Sequence, residues 1–387
     1  MARPFPLWHN LNMHPQQTQP PAQIRLNMRL PALWLGLALI AAFLLPDRVW
    51  NTLLVGLGGL LLIAYVWARW LARGLNGRRQ LRYGWVAVGD RLSEQFEVWN
   101  DSPVPALWVE VRDHSNVPGY DASIVRSLGE GNSNRWRQAA VCTRRGQFHL
   151  GPWALRSGDP FGIFTVSRIY PEQQEIIIHP PIHSRIPVPL PAGSSDGRLR
   201  HRERALQATT NAAAVRGYQP RDPQRWIHWP TSARRDSLYV REFDRDVSGD
   251  VWLILDMETA VQLGSGPGST EEHAVLLAAS LAARAIRQNR AAGMAAYSQT
   301  PQLLPPNHGQ GTQWRLLRTL ALIQADGHTP LQRALQDLNR QVRRGATAVI
   351  ITPTNRADWL PELLTLARRG VQSSVILLDR ASFQSNK

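Results

Sequence analysis

The chain of 387 residues has one cysteine, Cys142, and one lysine, Lys387. A lone cysteine excludes an internal disulfide, a cysteine-based zinc cluster and the cross-linked framework of small secreted domains. With so little lysine, the basic charge is carried almost wholly by arginine, and the formal net charge is +15. Phosphate-loop chemistry is also missing: the glycine-rich stretch 264–268 (GSGPG) lacks the following lysine. The 11 histidines are scattered without metal-ligand spacing, and Cys142 has no neighbouring histidine. No nucleophile constellation therefore emerges. A mean hydropathy of −0.27 excludes a chain mostly buried in a bilayer but leaves room for one or two spans. What is present, 43% apolar residues with 28 Gly, 28 Pro and 15 Trp, is globular composition. The length predicts two or three domains.

Two runs, 30–45 and 49–68, carry no charge, and each offers roughly 24 to 30 Å of helix, enough to span a bilayer. Between them Pro46, Asp47 and Arg48 form a polar turn that cannot continue a helix. Trp34, Trp50, Trp67 and Trp70 fall at or near the run ends, where amphipathic rings prefer the headgroup zone. Arg25 and Arg29 precede the first run, and Arg69, Arg73, Arg78, Arg79 and Arg82 follow the second. This predicts a two-helix transmembrane hairpin over 30–68 in the inner (plasma) membrane, with both termini cytoplasmic. A cleaved signal peptide would need a shorter leader and a small-residue cleavage site. The Pro/Gln-rich leader, 1–29, reads as disordered.

Over 80–182 the pattern changes to short runs of period-two alternation bounded by Gly, Pro, Asn and Asp, among them 96–99, 106–113, 135–143, 146–150, 162–169 and 175–179. Six or more such strands predict an all-β, immunoglobulin-like antiparallel sandwich, with Trp85, Trp99, Trp108, Trp136 and Trp153 as core. A linker over 183–215 contains Arg198, Arg200, Arg202 and Arg204. That run could meet anionic lipid or nucleic acid, but no nucleic-acid reader motif accompanies it and none is expected to bind.

Residues 217–243 read GYQPRDPQRWIHWPTSARRDSLYVREF. Asp222 and Pro223 form an N-cap and N1 pair, so a short helical turn is expected to start there and to be ended or kinked by Pro230. Residues 238–243 then alternate as a strand. Asp222, Arg225 and His228 could together perform acid-base work as a hydrolase or transferase, although no nucleophile or metal accompanies them. The segment resembles the signature of the bacterial domain of unknown function 58 family through Tyr218, Asp222, Arg225, Ile227, His228, Trp229, Ser232, Ala233, Arg234, Leu238, Val240, Arg241, Glu242 and Phe243. The upstream text resembles the same family at Arg145, Gly146, Phe148, Gly151, Pro152, Asp159, Pro160, Phe161 and Gly162. Arg221 departs from the family's usual glycine.

From 247 to 387, apolar strands (251–255, 293–297, 347–352, 374–378) alternate with helices (271–289, 313–324, 330–343, 357–369), which predicts a doubly wound α/β domain. The resemblance implies that this is a von Willebrand factor A-like domain, whose metal site takes D-x-S-x-S, a later threonine and a final acid. Here Asp256 and Thr329 remain, while Glu258 and Ala260 replace both serines and Pro353 stands where the last acid would be. Magnesium demands near-octahedral oxygen coordination. A degenerate remnant of Asp256, Glu258 and Thr329, with no divalent metal and no other cofactor, is expected. The resemblance further implies a non-enzymatic adaptor that partners a MoxR-type AAA+ ATPase. Its contact residues are expected in the signature segment 216–246: Tyr218, Asp222, Arg225, His228, Trp229, Ser232, Arg234, Arg241 and Glu242.

Overall fold

The computed structural model describes residues 19–44, 47–81, 85–191, 212–220, 222, 224, 227–243 and 249–384. They fall in two units, Met1–Ile178 and His179–Lys387. The first contains β1 (Ala22–Leu26), two apolar helices α1 (Leu30–Leu44) and α2 (Arg48–Gly74), then β2 (Leu75–Leu81), β3 (Val86–Ala87), β4 (Arg91–Asn100), β5 (Ala106–Asp113), β6 (Ile124–Leu128), β7 (Ser133–Val141), β8 (Gly146–Leu150), β9 (Trp153–Gly158), β10 (Phe164–Tyr170) and β11 (Gln174–His179). They make a five-stranded sheet in the order β1-β10-β9-β5-β6 and two three-stranded sheets, β2-β4-β7 and β3-β11-β8.

Alternation in these strands sends Leu92, Phe96 and Val98 of β4, Val109 and Val111 of β5 and Leu155 of β9 into one shared core. Trp153 stacks on Tyr170 at 4.0 Å between centroids, and Phe96 on Trp136 at 5.4 Å. Beside this core is a buried polar knot. Arg79 on β2 donates to Glu94 (2.7 Å), Asp113 (3.2 Å) and Ser115 (3.0 Å), and the Tyr120 hydroxyl donates to Glu94. Burial, and then the Glu94 charge, push the Tyr120 phenol up. Cys142 is buried, and burial raises its thiol, which leaves it an inert core residue.

Two expectations are corrected here. Residues 22–26 of the leader are not disordered, because β1 pairs antiparallel with β10 from Ala22↔Arg168 to Leu26↔Phe164; residues 1–18 lie outside the described residues. The second apolar run is not apolar surface to its end. Ala64, Ala68 and Leu71 are buried, and Trp67 and Ala72 pack on the strand core. α2 is the one described helix long and apolar enough to cross a membrane.

The second unit holds β12 (Ala212–Gly217), α3 (Trp229–Arg235), β13 (Tyr239–Phe243), β14 (Val251–Leu255), α4 (Thr270–Arg287), β15 (Ala292–Ala296), β16 (Gln302–Asn307), α5 (Gln310–Leu322), α6 (Leu331–Asn339), β17 (Thr347–Thr352), α7 (Leu360–Arg368), β18 (Gln372–Leu377) and α8 (Arg380–Gln384). Its main sheet runs β16-β15-β14-β17-β18. β14 pairs parallel with both β15 and β17, and β17 parallel with β18, while β16 is antiparallel to β15. The fully buried apolar runs of β14 and β17 are those of central strands. α4 starts at the Ser269 cap, whose hydroxyl accepts from the Glu272 N–H.

Part of the expected linker is docked: Arg284 on α4 donates to the carbonyls of Ile186 and Val188, and Arg290 to that of Pro191. The arginine run at 198–204 lies outside the described residues.

Candidate functional site

Two places in the second unit gather the residues singled out from the sequence. The first is the crevice beyond the carboxyl end of β14. Chain order reverses there, with β15 on one side and β17 on the other, which is where open α/β sheets bind ligands. Register sets Leu255 beside Ile351, so the next residues, Asp256 and Thr352, face each other. The Thr352 hydroxyl donates to Asp256 Oδ2 at 2.6 Å, and the Glu258 N–H donates to Oδ1 at 3.3 Å. Asp256 and Thr352 are both buried. Burial pushes the Asp256 carboxyl above its ordinary range, against the hydrogen bonds from Thr352 and Glu258.

Glu258 forms a parallel bridge to Gly327, and the Arg356 guanidinium lies 3.8 Å from its carboxylate. Thr329, half-buried, follows two residues after that bridge. The loop is held closely to β14, with Gly327 donating to Met257 O at 3.0 Å and Thr259 donating to Gly327 O at 2.9 Å. A Cβ on Gly327 would meet the Tyr297 carbonyl oxygen at 2.1 Å, which is why glycine stands there. Among the described residues no group of three or more His, Cys, Asp or Glu side chains could hold a metal ion. The donor set does not fit magnesium: one acid is engaged by a threonine, and a guanidinium is the cation beside the other.

The second place is the signature segment. The helical turn expected from Asp222 and Pro223 falls mostly outside the described residues. Pro230 does not end a helix; it lies in the first turn of α3, where its missing N–H would have no partner in any case. His228 is the N-cap, with Nδ1 accepting from the Thr231 N–H at 3.3 Å and 2.7 Å from the Thr231 hydroxyl. Arg221, Pro223, Arg225 and Trp226 lie outside the described residues, so the Asp222, Arg225, His228 grouping is seen only at its two ends.

Each end is engaged elsewhere. Arg216 clamps Asp222 with two bonds of 2.7 and 2.8 Å, and the Gln219 N–H adds a third at 2.8 Å. That hydrogen bonding, Arg216 first, holds the Asp222 carboxyl below the usual carboxylate range. Such a carboxylate stays ionised and staples the segment together.

Ser232 is buried and joins α3 to β13, donating to the His228 carbonyl at 3.1 Å and accepting from the Tyr239 N–H at 2.9 Å. Tyr218 is tied through its N–H to Leu238 O at 2.8 Å. Arg234 is exposed in the last turn of α3, where a cation is favoured, and its neighbour Arg235 lies over the Tyr239 ring at 5.5 Å. Arg241 and Glu242 belong to β13, paired with Val215 and Ala214. Beneath the segment Ile227 and Val240 are buried, while Trp229 is 65% exposed and Leu238 46%. An exposed tryptophan next to a proline turn, on a segment whose Asp222, His228 and Ser232 already have partners, is suited to contact with another macromolecule.

Sequence reasoning missed Thr352, Arg356 and the Arg216 clamp. The first two are foreshadowed only by their positions at and just beyond the end of β17. The third links positions six residues apart and depends on the β12 to β13 pairing.

Comparison with known proteins agrees with the signature. The chain is 23% identical over 304 residues to the uncharacterized protein YeaD of Bacillus subtilis, covering 74% of this chain and 72% of that one. It is 28% identical over 167 residues to the uncharacterized protein Rv1480 of Mycobacterium tuberculosis, covering 42% of this chain and about half, 53%, of the relative. Among solved structures, Spo0M, a sporulation control protein of Bacillus subtilis, aligns over 29% of this chain and 51% of its own, with 8% identity and a TM-score of 0.18. Residues 214–383 match the family described as protein of unknown function DUF58.

Proposed function

We propose that the chain is a membrane-anchored, cytoplasm-facing interaction protein, not an enzyme, and that it serves as a metal-independent adaptor for a MoxR-type AAA+ ATPase. In this reading α1 and α2 are two spans of the inner membrane with both termini cytoplasmic. The strand-rich part is an immunoglobulin-like sandwich, and the second unit contains a von Willebrand factor A-like domain. The observation that carries the anchor is exposure: Phe43 is 87% exposed and Val55 78%, on helices with almost no polar side chains. A buried core helix would hide such residues, and apolar surface of this extent marks a membrane or protein contact. β1 before α1 and β2 after α2 belong to one unit, which suits two crossings and a return to the same side. Arginines on both flanks suit the cytoplasmic side.

The adaptor reading rests on the signature segment, where Trp229 and Leu238 form exposed apolar surface on a scaffold whose acid, histidine and serine already have structural partners. An arginine beside Glu258 supplies at the switch point the positive charge that a cation brings in von Willebrand factor A-like sites. The test is photocrosslinking from position 229 of the full-length chain in intact membranes. The expected product joins it to an AAA+ ATPase of the same cell. Crosslinks confined to lipid or to the chain itself would refute the adaptor reading.

A further inference from the structure

The Asp159-Pro160-Phe161-Gly162 turn between β9 and β10 is a motif to which the proposed function assigns no role. β1 ends at Leu26 and β9 at Gly158, while β10 starts at Phe164 and β5 at Ala106. Register puts these at one end of the five-stranded sheet, the end from which α1 leaves and at which Tyr65 of α2 reaches Phe164.

The turn is fastened to the chain that leads into α1. Asn27 and Met28 donate their N–H groups to Ile163 O at 2.7 and 3.2 Å, and the Asn27 side chain donates to Gly162 O at 3.2 Å. Asp159 is buried and its carboxylate accepts the N–H groups of Phe161 and Phe164, so the turn has a fixed shape. That shape leaves Phe161 51% exposed, two to three residues beyond the level where Tyr65 of α2 meets Phe164 edge to face at 5.7 Å. Met28, 42% exposed, and Leu107, 51% exposed, lie at the same end.

We infer that Phe161 is a lipid-contacting wedge, seated in the headgroup and upper acyl region of an anionic phospholipid bilayer beside the helix pair. This inference rests on the membrane reading above. Apolar helix free of the strand core runs about 22 Å in each arm, residues 30–44 and 49–63. A hydrocarbon core is about 30 Å thick, so short arms draw the attached end of the protein into the interface. Arg25 and Arg29, on the strand and link just before α1, suit anionic headgroups there.

The test uses the full-length chain with Phe161→Cys carrying an environment-sensitive fluorophore, reconstituted in phosphatidylethanolamine and phosphatidylglycerol vesicles. Cys142 is buried, and the unsubstituted chain measures any background labelling. Labels at Phe43→Cys on α1 and Val125→Cys on β6 serve as references. Phe161 should give blue-shifted emission that resists aqueous iodide and is quenched by headgroup-region nitroxide lipids, and the Val125 label should behave as in water. A water-like Phe161 label with a lipid-immersed Phe43 label overturns the wedge and leaves the anchor intact. Water-like labels at both positions overturn the membrane reading itself.

Discussion

Replacing Asp256 separates a structural acid from a metal ligand. In Asp256→Ala, the buried Thr352 hydroxyl loses its acceptor at 2.6 Å, and the Glu258 N–H loses one at 3.3 Å. A buried donor left without a partner costs about 1–3 kcal/mol. For a unit of this size each kcal/mol is worth roughly 2–4 °C in Tm, so the alanine variant should melt about 2–12 °C lower. Asp256→Asn keeps one acceptor oxygen, so only one of the two donors loses its partner, and it should lose less stability than the alanine variant. The two variants also differ in pH response. Burial raises the folded-state pKa of Asp256 above its unfolded value, so its contribution to stability is fully present below the ordinary aspartate range and is lost as pH rises through the raised value. The parent should therefore gain stability relative to Asp256→Asn as pH falls from neutral into that range. Thermal melts of the full-length chain in detergent, from neutral to acidic pH and with or without magnesium, provide the assay. An asparagine variant as unstable as the alanine one would refute the reasoning. So would magnesium that raises the parent's Tm but not the variant's.

Other expected outcomes concern the strand core, the glycine loop and the anchor. Arg79→Met strands the buried Glu94 and Asp113 carboxylates and should cost about 3–5 kcal/mol in denaturant unfolding; adding Glu94→Gln should recover part of it. Gly327→Ala drives a Cβ against two backbone carbonyl oxygens, at 2.1 and 3.0 Å, and should destabilise by about 1–3 kcal/mol, read as a lower Tm. Leu37→Arg, midway along α1, puts a charge in the predicted hydrocarbon at a cost of about 2.5–3.5 kcal/mol, so the membrane-integrated fraction after alkaline extraction should drop. No drop would argue against a span there.

Much of the strand and helix text was legible because its periodicity is dictated by burial. β5, β8 and β17 lie where alternation or an apolar run placed them, and the helix expected over 271–289 is α4 within two residues at each end. What failed involved proline and pairing at a distance. β16 is absent from the expected strands; it is an edge strand, where Pro305 and Pro306 are tolerated. Pro230 read as a helix stop and is a helix start, because His228 supplies the cap that fixes the boundary. β1 was hidden in a Pro/Gln-rich leader, since its stability comes from β10, well over a hundred residues away. At the candidate site, Asp256 was legible as the residue that ends an apolar strand. Its partners were not, since the Asp256 to Thr352 bond and the nearness of Arg356 to Glu258 depend on the register of two parallel strands.

The central claim is that the signature surface, and not a metal, binds the partner. The most direct measurement is the Kd of the full-length chain in lipid nanodiscs for a purified MoxR-type ATPase from the same cell, comparing the parent with Trp229→Ala and Asp256→Asn. Trp229 exposes most of a large side chain; burying it in an interface is worth roughly 2–3 kcal/mol. The account predicts binding that weakens about 30- to 150-fold in Trp229→Ala and is unchanged in Asp256→Asn. Binding that is indifferent to Trp229 but lost in Asp256→Asn, or no binding by the parent, would contradict it.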